Sequence, residues 1–403
     1  MAGVRRHALI IGAGLAGAAT ALFLRKVGIT STLFEARPQA LPLGGGLVIA
    51  PNGMNVLAEL ALADRVKARG TLALENRFYT EAGRRLASYS NGGTRYGEPA
   101  VALTRDDLHG LMLAECASRA ITVRYRQHLV EVERANGKKV VARFEDGTSA
   151  EGDLLVGADG VLSRTRASVF PDAPAPVFAG AVGVGGIAPS AAVPALTAED
   201  KQSLTFTFGA RGLFCYCGTR GGDVMWWSNL CRAHALGPRE LEGHANEWVR
   251  KELLDLFGSY HAPIATLIEA SSAPVTLNLY DVATLPRWHD GRVVLVGDAA
   301  HAVSPSSGQG ASLALEDAMD LAKRLRDDIE PARAFAGFEQ DRRARVERIV
   351  AEGRRRGTDK AEVTPLRSQL GHFARWLALN LSGRRSQDWV YRYRVDWGPV
   401  PAG

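Results

Sequence analysis

Residues 292–316 read RVVLVGDAAHAVSPSSGQGASLALE and predict a buried strand, a loop and the start of a long helix. The apolar run 293–296 is typical of a strand that is covered on both faces. Asp298 follows at the carboxyl end of that strand, the edge at which open α/β sheets bind ligands. Gly308 and Gly310 would leave backbone N–H groups accessible at the helix start, where the helix dipole favours negative charge. The stretch is either a site for an anionic ligand or an ordinary connection between a strand and a helix.

The composition is that of a globular protein with a sizeable core. The 403 residues are 46% hydrophobic and 23% charged, and this length predicts two domains or one large domain with an insertion. No apolar stretch reaches the roughly 18 uninterrupted residues of a membrane span, and we expect a cytoplasmic protein. The four cysteines lack metal-type spacing, so they predict reduced packing residues and no metal site.

The net charge of +6 is compatible with an anionic ligand such as a dinucleotide. Much of the excess lies in residues 342–356, where the arginines have helical spacing. This pattern indicates a solvated helix face rather than a nucleic-acid site. We expect a small-molecule ligand, no nucleic-acid partner, and a chain that acts as a monomer or a homodimer.

A glycine-rich turn near the start of the chain indicates a dinucleotide site. Residues 7–11 predict a strand, and Gly12, Gly14 and Gly17 follow in GAGLAG before a helical pattern. The first glycine allows a tight turn, the second admits a pyrophosphate, and the third lets the helix pack on the strand. Glu35 ends the next predicted strand, near the distance expected for a carboxylate that holds a ribose hydroxyl. A glycine-rich turn without a ligand is the alternative.

Other candidate residues follow along the chain. Arg37 could contact adenine or phosphate, although a simply exposed arginine explains it equally. Three glycines at 44–46 predict a backbone that passes close to a planar group, with a flexible loop as the alternative. Arg105 begins a predicted helix and is a candidate for phosphate or ribityl contact. Asp159 follows the apolar run 153–156 at a strand end, and Asp-Gly by itself is typical of a turn.

Four motifs in this order resemble the single-component FAD-dependent aromatic hydroxylases, a family similar to p-hydroxybenzoate hydroxylase and salicylate hydroxylase. They are GAGLAG with Glu35, LTRDDL around Arg105, GADGVLSRTR at 157–166, and GDAAHAVSPSSGQG at 297–310. The resemblance implies an α/β fold, α+β overall. It has a Rossmann-like βαβ FAD-binding domain of the p-hydroxybenzoate hydroxylase type, an antiparallel-sheet substrate domain and C-terminal helices. The implied boundaries are 1–75, 100–166 and 286–340 for the FAD-binding domain, 76–99 and 167–285 for the substrate-binding domain, and 341–403 for the C-terminal helices and tail.

The resemblance also implies non-covalently bound FAD. The glycines of GAGLAG would lie at its pyrophosphate, Glu35 on the adenosine ribose, Leu129 near adenine, and Arg105 along the ribityl-phosphate side. Asp159 belongs to a motif linked to both FAD and the transient NAD(P)H. The predicted cofactor contacts are Gly12, Gly14, Leu15, Ala16, Gly17, Glu35, Ala36, Arg37, Gly46, Arg105, Leu129, Asp159, Asp298, Gly308, Gly310 and Ala311.

At the ring end of the cofactor, Asp298 would hold the ribityl or pyrophosphate, and the backbone of residues 308–311 would face the flavin pyrimidine. The chemistry of the family implies that NAD(P)H reduces FAD and that a flavin C4a-hydroperoxide formed with O2 passes one oxygen atom to the substrate. The protein then supplies binding, orientation and exclusion of water. Pro305 is predicted to lie beside the reactive edge of the ring.

The predicted substrate domain contributes aromatic candidates and one departure from the family pattern. Tyr216 is predicted to line the substrate pocket, with outward packing as the alternative. Trp226 and Trp227 point to opposite faces of one strand, and the pattern does not tell which face is inward. Many relatives carry an arginine in the strand that follows Gly180, where this chain has Gly185. Without a guanidinium for a substrate carboxylate, we expect a larger, neutral or polycyclic substrate.

The leading hypothesis is an FAD-dependent monooxygenase that hydroxylates an aromatic or polycyclic small molecule. An epoxidase with the same chemistry is the first alternative. A flavin reductase, an enzyme related to the flavin halogenases, and a non-catalytic FAD-binding protein follow. Two C-terminal helices are predicted, at 331–356 and about 366–381. The first contains Phe338-Glu339 and Arg342, similar to a helix of the family.

Overall fold

The computed structural model describes residues 6–38, 45–135, 137–241, 246–271, 274–357 and 376–398. In chain order the strands are β1 His7–Ile11, β2 Thr30–Glu35, β3 Gly46–Ile49, β4 Thr71–Leu72, β5 Glu75–Thr80, β6 Arg85–Ser90, β7 Val101–Thr104, β8 Thr122–Tyr125, β9 Leu129–Ala135, β10 Lys139–Phe144, β11 Ser149–Gly152, β12 Leu154–Gly157, β13 Val177–Ala188, β14 Ser203–Gly209, β15 Gly212–Gly218, β16 Val224–Cys231, β17 Val275–Asp281, β18 His289–Asp290 and β19 Val293–Leu295.

The helices frame these strands. They are α1 Leu15–Lys26, α2 Pro51–Glu59, α3 Ala63–Lys67, α4 Gly93–Tyr96, α5 Arg105–Ser118, α6 Arg164–Val169, α7 Ala198–Lys201, α8 Pro238–Leu241, α9 Asn246–Phe257, α10 Ile264–Ala270, α11 Asp298–His301, α12 Gly310–Asp327, α13 Pro331–Gly357 and α14 Arg384–Tyr391. Short 3₁₀ helices span Ser190–Ala192 and Pro305–Ser307, and a π-helical turn spans Leu379–Gly383. None of the described helices is long and apolar enough to cross a bilayer.

A six-stranded sheet brings the predicted motifs to one edge. Its order is β18-β19-β12-β1-β2-β8, and β1, β2, β8, β12 and β19 run parallel. The carboxyl ends of parallel strands meet at the same edge of a sheet. Gly12, Glu35, Asp159 and Asp298 therefore lie along one crevice, although they are far apart in the sequence.

Alternation along β1 explains how this sheet is covered. Ala8 and Ile10 face a core built with helices α1 and α12, and Leu9 and Ile11 face a smaller core beneath the three-stranded sheet β11-β10-β9. All four side chains are nearly inaccessible to solvent. Burial on both faces is the physical reason that this strand reads as a continuous apolar run.

A seven-stranded sheet has the order β17-β13-β16-β15-β14-β5-β6 and is antiparallel except for the pair β14 and β5. We call the face that packs on helices α9 and α10 the outer face. The inner face packs, around Met225 and Cys217, on the small sheet β3-β7-β4 of the nucleotide-binding half. The sheet combines strands from the predicted stretches 76–99 and 167–285, whose assignment to a separate domain stays a prediction.

The pairing of β15 with β16 decides which tryptophan faces inward. Trp226 is 1% exposed on the outer face, and its indole N–H donates to Ser271 Oγ at 2.6 Å. Trp227 is half-buried and belongs to the inner face. Tyr216 pairs directly with Trp226 and lies in the same outer cluster, where burial raises the pKa of its hydroxyl to about 12. This position corresponds to outward packing, the alternative to the predicted pocket-lining role of Tyr216.

The C-terminal helices follow the prediction only in part. Helix α13 spans Pro331–Gly357, close to the predicted 331–356. Most of the second predicted helix, at 366–381, falls outside the described residues. After the π-helical turn and α14, the chain continues to Gly398, with Val395 buried and Trp397 packed on the main core.

Candidate active site

The GAGLAG turn assigns a different physical role to each glycine. Gly12 has φ +97°, and a Cβ atom there would lie 2.5 Å from the Ala158 carbonyl oxygen. A Cβ atom at Gly17 would overlap the carbonyl oxygen of Gly12, so this glycine lets helix α1 approach the turn. A Cβ atom at Gly14 would meet no atom within 4 Å. The open space beside Gly14 lies at the start of α1, where exposed backbone N–H groups favour an anion.

The carboxylate of Glu35 is fixed over this turn. Its two oxygens accept hydrogen bonds from the backbone N–H groups of Ala13 and Arg37, each at 2.9 Å. The acid at the end of β2 is thus held at the crevice edge, while the Arg37 side chain is exposed. Ala36, Leu15 and Ala16 are half-buried around the same turn.

Helix α5 supports the turn from the other side, through a residue that the sequence did not single out. His109 Nε2 lies 2.8 Å from the carbonyl oxygen of Ala13. At the start of α5, Thr104 accepts from the N–H of Asp107, and the N–H of Arg105 donates to the Gly45 carbonyl at 3.1 Å. The helix therefore ties β3 to the turn. A histidine four positions after Arg105 was the available signal.

Asp298 and Arg105 come together although they are 193 positions apart in the sequence. Asp298 begins α11 after Gly297, whose φ of +57° is the left-handed region that favours glycine. The Asp298 carboxylate is solvent-exposed but lies in a crevice. Loss of hydration there raises its pKa, while His301 and Arg105 oppose that rise.

The turn at Gly297 is held from behind by Asp317, which sequence reasoning missed. Asp317 is fully buried on α12 and accepts from the Gly297 N–H at 2.9 Å, from His301 Nε2 at 2.5 Å and from Arg342 Nε at 2.8 Å. Burial by itself would raise the pKa of Asp317. His301 and Arg342 outweigh it and hold that pKa well below its usual range.

Glu316 extends the buried charge cluster towards the start of α12. Its carboxylate contacts Arg342 at 2.7 Å and Arg345 at 2.9 Å, and it accepts from Asn52 Nδ2 at 2.7 Å. Burial opposes ionisation, but the two arginines lower the pKa of Glu316. Asn52 also donates to the side chain of Gln309 at 3.1 Å, so the cluster fixes the residue that precedes Gly310.

The loop before α12 presents bare backbone. Pro305 is exposed at the start of a 3₁₀ turn, and Gly308 has φ +64° with no atom within 4 Å of a Cβ position. Gly310 and Ala311 begin α12 and are half-buried. The 18-residue helix directs its positive dipole end at this open backbone.

Three of the predicted cofactor contacts, Asp159, Leu129 and Gly46, are engaged with other groups of the protein. The Asp159 carboxylate accepts from Ser163 Oγ at 2.5 Å and from the Thr165 N–H at 2.9 Å, so it caps α6 from within its own loop. The Leu129 side chain is 2% exposed and packs in the core beneath β1. Gly46 passes so close to the inner face that a Cβ atom would overlap the Met225 sulfur.

The inner face of the seven-stranded sheet carries uncharged side chains at its centre. Strand pairing places Gly183, Gly185, Trp227 and Asn229 side by side on it. Phe78 stacks on Phe206 at 5.0 Å between ring centroids. The exposed or half-buried residues at the centre of this face are Phe78, Gly183, Gly185, Phe206, Phe208, Leu213, Trp227, Asn229, Val275 and Leu277.

Comparison with known proteins decides the family. A family model described as an FAD binding domain matches residues 5–353, which is most of the chain. The chain belongs to this family. Among relatives, 3-amino-4-hydroxybenzoate 2-monooxygenase of Streptomyces cremeus is 33% identical over 358 residues, covering 88% of this chain and 86% of the relative. Aurachin C monooxygenase/isomerase of Stigmatella aurantiaca is 31% identical, covering 87% of this chain and 88% of the relative.

Solved structures have the same fold. HpxO of Klebsiella pneumoniae, complexed with FAD and uric acid, has a TM-score of 0.81 and 24% identity, covering 96% of each chain. A salicylate hydroxylase substrate complex has a TM-score of 0.80 and 21% identity, covering 99% of each chain. The predicted fold class, family and cofactors are confirmed. The chain is an FAD-dependent monooxygenase that uses NAD(P)H and O2 to hydroxylate an aromatic small molecule.

Proposed function

We propose that the aromatic substrate is neutral and larger than a single carboxylated ring. The observation that supports this is the inner face, where none of the ten central residues named above carries a charge. A substrate carboxylate in a partly enclosed apolar site would need a paired cation or several hydrogen-bond donors. Gly185 provides neither, and Gly183 and Gly185 add no side chain that a larger ring system would have to clear.

FAD fits the open crevice along the six-stranded sheet, and its placement is part of the proposal. Gly14 and Gly308 each leave free space beside bare backbone, one at each end of the crevice. We assign the pyrophosphate to the GAGLAG turn, the adenosine ribose to Glu35, and the ribityl chain to the region between Arg105 and Asp298. Bound by these residues, FAD would supply the hydride acceptor for NAD(P)H and the activation of O2 that delivers one oxygen atom to the substrate.

The chain's own residues bind and orient the flavin and the substrate, and shield them from water. The backbone of residues 308–311, together with the α12 dipole, stabilises negative charge on the flavin pyrimidine. Trp227 and Phe206 offer aromatic surfaces against which a planar substrate can pack. The inner face covers this region and limits access of water, and Pro305 forms part of the rim on the opposite side. None of these tasks requires an acid-base pair.

The test is oxidation of NADPH and NADH with simultaneous O2 uptake, screened over phenols, hydroxyquinones, polycyclic aromatics and, as the matched comparison, hydroxybenzoates. We expect a neutral polycyclic substrate to accelerate NAD(P)H oxidation and to gain one oxygen atom by mass spectrometry. The benzoate named in one relative represents the competing substrate class. Turnover of hydroxybenzoates in preference to neutral rings would contradict the proposed substrate.

Two further predictions accompany the proposal. We place the chain in the cytoplasm and expect a monomer or a homodimer. Size-exclusion chromatography with light scattering tests the oligomeric state, and fractionation of a native host tests the location. A larger assembly or recovery in a membrane fraction would contradict them.

A further inference from the structure

We propose that Asn229 determines substrate specificity by hydrogen bonding an uncharged oxygen, a hydroxyl or carbonyl, on the substrate ring. This inference rests on the proposed neutral aromatic substrate and names the polar group that it must carry. Asn229 lies on the inner face of β16, two positions from Trp227. An amide can donate through Nδ2 and accept through Oδ1, so it pairs with either kind of oxygen.

The amide of Asn229 is available for a ligand. The side chain is half-buried and makes no hydrogen bond within the described part of the chain, whereas Asn52, Asn76 and Asn91 each have a side-chain partner. An amide on an apolar face costs free energy unless water or a ligand pairs with it.

The neighbours of Asn229 on the inner face are apolar or lack a side chain. Across the sheet it pairs with Gly183, and its Oδ1 lies 3.7 Å from the position that a Cβ atom of Gly183 would take. Beyond Gly183, Leu277 is 49% exposed, and on the other side Leu213 is half-buried. The amide is therefore a polar point within an apolar surface, and the aromatic side chain of Trp227 is adjacent.

This arrangement supports discrimination between rings of similar shape. A ring that carries a hydroxyl pairs with the amide, whereas the bare ring leaves the amide unpaired in the complex. Sites that hydrogen bond a substrate group reject analogues lacking it, because the protein group then loses its partner. A negatively charged ring gains little, since a single neutral amide does not replace the hydration of a carboxylate.

The experiment uses the FAD-loaded protein and three probes of similar size: 2-naphthol, naphthalene and 2-naphthoate. Binding is measured from the change in flavin absorption during titration. For the parent protein we expect 2-naphthol to bind about tenfold more tightly than naphthalene. For Asn229→Leu we expect that ratio to fall to about one, and the flavin content of the purified variant shows whether it has folded.

A second variant keeps the inference testable if Asn229→Leu folds poorly. Asn229→Asp has nearly the same shape and accepts from the naphthol hydroxyl, so we expect 2-naphthol preference to persist and 2-naphthoate to be excluded by charge repulsion. An unchanged binding ratio in Asn229→Leu overturns the role of Asn229 alone. Failure of the flavin-loaded parent to bind either neutral ring overturns both this inference and the proposed substrate class.

Discussion

Gly14 separates the requirements of ligand binding from those of folding. A methyl group at this position meets no protein atom within 4 Å, so Gly14→Ala should fold normally. It would, however, occupy the space assigned to the pyrophosphate. We expect the Kd for FAD to rise by about tenfold or more, measured by flavin fluorescence quenching, with the melting temperature of the FAD-free protein unchanged.

Two other glycines provide controls for that measurement. Gly110 lies exposed within α5 and also has open space around it, so Gly110→Ala should leave FAD binding intact. Gly17→Ala places a methyl group against the Gly12 carbonyl and should destabilise the fold by about 1–3 kcal/mol. Equal loss of FAD in Gly14→Ala and Gly110→Ala would argue against the assigned pyrophosphate position.

Asp320 predicts a pH dependence of stability. It is 3% exposed, its Oδ2 has no partner among the described residues, and burial raises its pKa from 3.8 to about 7. Because the folded pKa lies above the unfolded one, the stability contributed by this group is lost as the pH rises from about 4 to 7. Asp320→Asn should therefore be more stable than the parent at pH 8, on the order of 4 kcal/mol at most.

Urea denaturation at pH 4.5 and pH 8 checks the prediction for Asp320. The gain from Asp320→Asn should shrink at the lower pH, where the parent carboxyl is protonated in the folded state. Asp255→Asn, at an exposed position of α9, is the matched control and should change stability by less than about 0.5 kcal/mol at either pH. A pH-independent gain would refute the account.

For single residues, the sequence was informative where the function requires residues at a fixed spacing. The glycine turn and the position of Glu35 beside it could be predicted because a dinucleotide turn has these residues at fixed intervals, while their contacts with FAD stay predictions. The orientation of Tyr216 could not be predicted. Alternation along a strand yields two faces, and only the packing of β15 against helices α9 and α10 shows which one is outward.

The pair of helices α12 and α13 depends on a buried arginine. Arg342 is 0% exposed and neutralises both Glu316 and Asp317. Arg342→Met would leave two buried carboxylates with less compensation, so we expect a loss of about 3–5 kcal/mol in the free energy of unfolding. Because Asp317 also fixes the turn at Gly297, we expect FAD binding to weaken in the same variant.

Arg333→Met is the control for the arginine prediction. Arg333 lies on the same helix and pairs with Asp328, but its side chain is 73% exposed. Surface ion pairs contribute about 0–1 kcal/mol, so denaturation of this variant should resemble that of the parent. Comparable losses in both variants would show that burial of the charge cluster is not what matters.

The extent of α13 could be predicted from apolar periodicity. The partners of Arg342 could not, because they lie 25 and 26 positions earlier on another helix. Only the packing of α12 on α13 brings those carboxylates to the arginine. The hydrogen bond from Asn52 to Gln309 could not be predicted for the same reason.

At the scale of the whole molecule, the last described residues pack against the helices of the nucleotide-binding half. The Trp397 ring lies 5.6 Å from Phe23 on α1 and 5.0 Å from the Arg326 guanidinium on α12. Trp397→Ala should cost about 2 kcal/mol, measured by thermal denaturation. Trp248→Ala on α9 removes an exposed tryptophan and should have a smaller effect; the reverse order would contradict this packing role.

The Asp317 carboxylate pairs with the buried Arg342 and also accepts from the turn that precedes Asp298. Folding and cofactor retention are therefore linked, because a ligand that binds only the native state stabilises that state. A practical consequence is that yellow colour reports on interior packing. Colonies that express variants of α12 or α13 can be ranked by eye, and pale ones should be enriched in changes to the buried charges.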